Sequence, residues 1–380
     1  MSLQASPVFS LDSAANDTSV TLDLLRYLGA QAVCIGHAIA FFGVADRFQP
    51  PNMPYMQNLG VMVFFVLSGF VIAHALMRGL ARPNYRLDTF IIERIARIYS
   101  AYLPALMLIA ILDITLLKLG RFEYPSYLGW QNFIGNLLMM QNYPGPFKEL
   151  LAVPSFGSAG QLWSLAVEFH IYLFVGATFF FALGRGWPWA LPVMLLAAAV
   201  PFYSFSEQAY GVPGAGLFIL WLLGFSAYFI AYSGVGRHLP LTLLVLGSFA
   251  MSAYWINQTV PAREYRIELY LLLALAFLLL VVATQRIRLL SISSRLRDGI
   301  RFAANYSFSL YLIHYSLIYF FKAFWTGKPW QGALMGIILS NAIAIPFAYY
   351  TEFRHRDFSS WIGKLLARLC SGSNSARSYE

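Results

Sequence analysis

Apolar residues run through this chain in blocks of about 20, separated by short polar and basic segments. A block of that length crosses the ~30 Å hydrocarbon core as an α-helix. About ten spans are predicted, at 24–44, 57–77, 98–118, 161–183, 188–204, 215–232, 239–257, 269–284, 302–325 and 332–353. Only helices or closed barrels satisfy the backbone in lipid, so the fold class is all-α, a polytopic transmembrane helical bundle. A single transmembrane domain fills 1–353, opening on a polar tail over 1–20. A basic tail over 354–380 follows it. The first 20 residues lack a basic n-region and a small-residue cleavage site, so the first span is expected to be retained.

The longest interruption of the apolar pattern is 120–160, rich in Pro, Gly, Asn and Tyr. A connection of this length is usually functional. Its middle, Phe133 to Met140, is too short to span and is expected to form an interfacial or re-entrant helix.

Charge orients the bundle. The net charge is +9, from 26 Lys and Arg against 17 Asp and Glu. Roughly 18 of the 26 basic residues fall on the side shared with the N-terminus, chiefly at Arg78–Arg97, Arg286–Arg301 and beyond Arg354. With an even number of spans, the positive-inside rule puts both termini in the cytoplasm. The basic balance therefore belongs to the membrane and its lipid, and nucleic acid is not a partner. Charged residues make up only 11% of the chain, against about 25% in a soluble domain. Cys34 and Cys370 lie too far apart in depth to pair. No metal-ligand set and no phosphate-cradling glycine loop occurs, so metalloenzyme and ATPase readings have no support.

Ionisable residues inside spans are costly and mark function by default. Arg26 and His37 lie eleven positions apart in the first span, about 16 Å along a helix. Arg26 has a second reading as a snorkelling helix end, and His37 as a buried interhelical hydrogen bond. Glu168, in the fourth span, is expected within about one turn of the depth of His37. The two are candidates for an imidazole–carboxylate base pair, or for a polar lock between helices. His170 points to another face and reads as structural. Arg94 and Arg97 share a helix face where the loop enters the third span, and with Arg26 could form a basic mouth for a polyphosphate. Their bland role is anchorage to anionic lipid. Ser68-Gly69 suits close helix packing rather than nucleophilic chemistry. His314 reads either as a second functional imidazole or as an interhelical hydrogen-bond donor. Most aromatics belong to the lipid face and interface belt, while Tyr124, Tyr127, Trp130 and Tyr143 of the outer loops are candidates for stacking on sugar rings.

Five blocks in order resemble the acyltransferase 3 family of polytopic membrane proteins. They are Arg26 with ten residues before His37, Phe64-Phe65-Val66-Leu67-Ser68-Gly69-Phe70, the Arg94/Arg97 pair, Trp163-Ser164-Leu165-Ala166-Val167-Glu168 followed by Tyr172, and Ser307 to His314. The resemblance covers about 21–353. Ser100 stands where the family usually has proline, and Phe169 follows Glu168 where a second Glu is common. Some relatives carry a C-terminal extracytoplasmic esterase-like domain, which is not expected here.

The resemblance implies a multi-pass enzyme of the cell's inner (cytoplasmic) membrane. Its donor would be acyl-CoA, acetyl-CoA by default, taken from the cytoplasm with no metal. Its acceptor would be a hydroxyl of an extracytoplasmic or lipid-linked polysaccharide of the cell envelope. His37 is then the expected general base and Glu168 its partner or an acceptor contact. Arg26, Arg94 and Arg97 are expected to bind the donor, with Trp163, Ser68, Tyr172 and His314 as substrate or structural support. Two other readings remain. One is a transporter or flippase of a lipid-linked sugar or small metabolite. The other is the second large superfamily of membrane acyltransferases, with His314 as its key residue.

Overall fold

Helix follows hydropathy along this chain but does not stop where hydropathy does. The computed structural model describes residues 17–49, 53–143, 148–185, 190–206, 216–232, 267–286 and 293–354, with isolated positions besides. Among these, twelve α-helices occur: α1 Asp17–Phe42, α2 Met56–Leu80, α3 Leu87–Lys118, α4 Trp130–Leu137, α5 Lys148–Leu151, α6 Trp163–Ala182, α7 Ala190–Ser206, α8 Leu217–Tyr232, α9 Ile267–Arg286, α10 Ser294–Asn305, α11 Ser307–Lys322 and α12 Pro329–Tyr350. Six stretches are long and apolar enough to cross a membrane, by length and composition: Asp17–Phe42, Met56–Leu80, Leu87–Lys118, Gly160–Ala182, Ile267–Thr284 and Pro329–Arg354. The described chain is an all-α membrane protein. The span expected at 239–257 lies outside the described residues, apart from three isolated positions.

Two boundaries differ from the hydropathy reading. The third span was expected from 98, yet α3 begins at Leu87. Asp88, Glu93, Arg94 and Arg97 end the apolar run without breaking a helix, because charged side chains tolerate helical backbone well. At 32 residues α3 is about 48 Å long, more than a bilayer core requires. The span expected over 302–325 is broken at Tyr306, which separates α10 from α11. Ser307 Oγ donates to Ala304 O at 2.7 Å at the break. The α10 sequence carries Arg295, Arg297 and Arg301 and starts on a Ser293 cap whose Oγ accepts from Leu296 N. Its exposed Leu296 and Phe302 leave it an amphipathic surface helix rather than part of a span.

The described helices divide into two compact units. The first comprises Met1–Gly36, Ala45–Arg78 and Ser204–Ser307. Here α2 and α8 touch backbone to backbone. A Cβ placed on Gly69 would lie 2.0 Å from Trp221 O, and one on Gly224 would lie 2.0 Å from Val66 O. Trp221 Nε1 donates to Ser68 Oγ at 3.1 Å across the same contact. The close approach expected of Ser68-Gly69 is therefore present. Gly69→Ala is predicted to cost about 1–3 kcal/mol, because two backbones must separate. Ser68→Ala should cost about 1 kcal/mol, one neutral hydrogen bond. Thermal melts of both variants in nanodiscs check this; an unchanged Tm for Gly69→Ala would refute the contact.

The second unit comprises His37–Val44, Gly79–Tyr203 and Phe308–Glu380. In it α3 packs on α6, with Gly176 leaving room for the Phe90 ring. The 120–160 segment is described at residues 120–143 and 148–160. It holds 3₁₀ turns at Pro125–Leu128 and Gly160–Leu162, α4 and α5, and an isolated parallel bridge between Gln141 and Val153. Helix α4 overlaps the short helix expected at Phe133–Met140. Hydroxyls of α3 hold it in place: Tyr102 donates to Asn136 O at 2.8 Å and Tyr99 to Leu137 O at 2.6 Å. The fully buried Asn136 side chain then donates to Pro154 O at 2.9 Å and accepts from Phe156 N at 3.1 Å. The 120–160 segment is thereby fastened to α3, a candidate membrane span.

Candidate active site

His37 and His314 meet. Nδ1 of His37 lies 2.9 Å from Nε2 of His314, with the rings stacked at 5.1 Å and 28°. His314 is fully buried on α11, and its Nδ1 lies 2.9 Å from Leu310 O and 3.0 Å from Tyr311 O. Carbonyl oxygens only accept, so Nδ1 of a neutral His314 carries the hydrogen. Its Nε2 is then an acceptor, and Nδ1 of His37 must donate to it. The lone pair of the neutral His37 ring is left on Nε2. A backbone carbonyl thus sets the tautomer of His37 through an intervening imidazole, the role the sequence assigned to Glu168.

Glu168 is bound to Tyr172, one turn further along α6. Its carboxylate also acts electrostatically on Tyr311. The Tyr311 hydroxyl donates to Gln161 O at 2.6 Å and lies 2.5 Å from Ser164 Oγ, and its ring is 6.2 Å from that of His314. Gln161 Nε2 donates to Leu312 O at 2.8 Å. These contacts join the N-terminal end of α6, where half-buried Trp163 is the first helical residue, to the histidine-bearing turn of α11. His170 is buried, with Nδ1 2.9 Å from Ala166 O, as a structural histidine would be.

A cavity of about 660 Å³ is linked to the histidines through Tyr315. Tyr315 and Phe41 line it, and Tyr315 stands edge-on to the His37 ring at 4.8 Å. The 120–160 segment contributes Tyr124 and Tyr127 to the lining, stacked at 5.8 Å and 4°. Arg121, Glu123, Asn142, Ser158 and Lys322 supply polar and charged groups. Burial, then the adjacent Glu123 carboxylate, raises the Tyr124 hydroxyl above its ordinary value, so it is neutral at physiological pH. The other two outer aromatics proposed for stacking do not line this cavity. Tyr143 is buried, donating to Leu196 O at 2.9 Å, and Trp130 is exposed. Hydropathy reading missed Tyr315 and Tyr319, although with Tyr311 they repeat every fourth residue along one face of α11.

The basic residues divide between the units, Arg26 in the first and Arg94 and Arg97 in the second. Arg26 pairs with Asp23 at 3.3 Å. Arg97 Nη2 donates to Glu352 Oε1 at 2.7 Å, and that carboxylate is nearly fully buried. The Cζ of Arg94 lies 5.7 Å from the Phe90 ring centroid, and its buried Nε has no hydrogen-bond partner among the described residues. Glu93 is taken by Arg82 Nη1 and the Tyr85 hydroxyl, both at 2.9 Å. Burial first, then that carboxylate, pushes the Tyr85 hydroxyl well above its ordinary range. Of the expected basic mouth, Arg94 alone has a buried donor atom waiting for an acceptor, the feature a phosphate-bearing ligand would answer.

The chain belongs to the acyltransferase 3 family, whose model, described as an acyltransferase domain, matches residues 20–350. It is similar to the acyltransferase MdmB of Streptomyces mycarofaciens, 25% identical over 353 residues, covering 84% of this chain and 86% of the relative. It is also similar to protein 2 in the picA locus of Rhizobium radiobacter, 38% identical over 158 residues, covering 39% of this chain and 76% of that protein. No solved structure matches it.

Proposed function

We propose that this acyltransferase moves an acyl group, acetyl by default, from cytoplasmic acyl-CoA to a sugar hydroxyl of an extracytoplasmic or lipid-linked glycan, with His37 as general base. The observation that carries the reading is the hydrogen-bond chain from the Leu310 carbonyl through His314 to His37, which makes Nε2 the basic nitrogen of a ring packed against the cavity-lining Tyr315. In the reaction, Nε2 takes the proton of the acceptor hydroxyl as its oxygen attacks the thioester carbonyl carbon. The tetrahedral intermediate collapses by breaking the C–S bond. The proton on His37 then passes to the departing thiolate. While His37 is an imidazolium, its Nδ1–H remains bonded to the neutral His314 acceptor, which stabilises the charge in a site of low dielectric.

Stacked Tyr124 and Tyr127 fit a pyranose ring, and the polar groups around them fit its hydroxyls. Arg94 suits a phosphate of the donor, and apolar walls protect the thioester from water. The same reading places the enzyme in the inner membrane with about ten spans and both termini inside.

The test is transfer of label from radiolabelled acetyl-CoA to a mixed bacterial glycan fraction by the purified protein in nanodiscs. Label in glycan is the expected result. Neither labelled glycan nor any release of coenzyme A, from protein shown to be folded, would overturn the reading in favour of transport.

A further inference from the structure

Asp113 lies on α3 inside a membrane span and is completely buried. A carboxylate in such a place is costly unless its oxygens are satisfied. Here one outer-segment residue satisfies both. Ser158 N donates to Oδ2 at 2.7 Å, and Ser158 Oγ lies 2.8 Å from Oδ1. Ser158 Oγ is also 2.7 Å from Ser316 Oγ. A serine has a single hydroxyl hydrogen, so when Ser158 gives it to the carboxylate, Ser316 must donate to Ser158. Ser316 follows Tyr315, the ring against His37. The neighbouring residue shows how tight the grip is. Gly157 has φ +54°, and a Cβ there would sit 2.1 Å from Asp113 Oδ2. Gly157 N donates in turn to Tyr127 O at 3.1 Å. Ser158, Gly157 and Tyr127 all line the cavity.

We propose that Asp113 is a positioning residue for the acceptor. It clamps the 154–158 loop to α3 and α11, so that the cavity wall and the Tyr127 platform keep a fixed relation to His37. The proposal rests on the reading of His37 as base and of the cavity as the acceptor site. Water as acceptor needs no such platform, and this separates the two. With water, the thioester carbonyl is attacked by hydroxide oxygen and the products are the free acid and coenzyme A. With sugar, they are the ester and coenzyme A.

The experiment compares wild type, Asp113→Asn and Asp113→Ala in nanodiscs with acetyl-CoA, measuring transfer to the glycan fraction, hydrolysis in its absence, and amide exchange across 120–160. A displaced acceptor should lower transfer by about 10²-fold, mainly as a raised KM for glycan. Hydrolysis should stay within about twofold. Exchange at 154–160 should rise at least about tenfold, with α1 and α6 unchanged. Asp113→Asn, which keeps one acceptor oxygen, should fall between wild type and Asp113→Ala. Equal loss of transfer and hydrolysis, or unchanged exchange at 154–160, would overturn the proposal. If wild type shows neither reaction, the base reading fails, and the exchange result alone decides whether Asp113 clamps the loop.

Discussion

His37→Ala is expected to lower acyl transfer by on the order of 10³-fold, while the protein still inserts and melts near the wild-type temperature. Removing a general base costs about 10²–10⁴ in rate. His314→Ala should cost about 10²-fold, since it removes the acceptor that fixes the His37 tautomer but leaves the base itself. His314→Gln retains a side-chain oxygen that can accept from His37 Nδ1 and should recover part of that loss. The two histidines act as one unit, so the double variant should be little worse than His37→Ala. The measurement is kcat/KM for wild type and all four variants on one glycan acceptor. More than a few per cent of wild-type activity in His37→Ala would exclude it as the base. A deeper loss in His314→Ala than in His37→Ala would make His314 the reacting imidazole.

Hydropathy alone located most of the described spans, because a bilayer demands long apolar runs wherever helices cross. Ser68-Gly69 also read as a point of close packing, but only the structure shows that α8 is the partner. His37 stood out because an imidazole in a span is rare. Its partner did not. Depth pointed to Glu168, His314 read only as a second imidazole or an interhelical donor, and 277 positions separate His37 from the residue it bonds. Asp113 carried the same signal as His37, a lone ionisable group in an apolar run, but the serine that satisfies it lies 45 positions away in a loop with no periodicity. The break at Tyr306 was hidden for a different reason. The apolar pattern continues through it, and only the arginines of α10 show that the preceding turns face water.

Arg97→Ala should destabilise the protein by about 3 kcal/mol, because it strands a buried carboxylate. Glu352 is 2% exposed; it accepts from Arg97 Nη2 at 2.7 Å and from Ser309 Oγ at 3.1 Å. The hydroxyl cannot replace the cation. Adding Glu352→Ala should restore most of the lost stability, since the unpaired charge goes with its partner. That double variant also decides what Arg97 does. If its guanidinium only ties α3 to the turn after α12, the repaired protein should show a wild-type KM for acetyl-CoA. If it also meets the donor's phosphates, KM should stay raised after stability returns. Arg94→Ala supplies the contrast. Its buried Nε has no partner to lose among the described residues, so Tm should hold while the KM for acetyl-CoA rises. A donor KM that follows Arg97 and ignores Arg94 would reverse the two assignments.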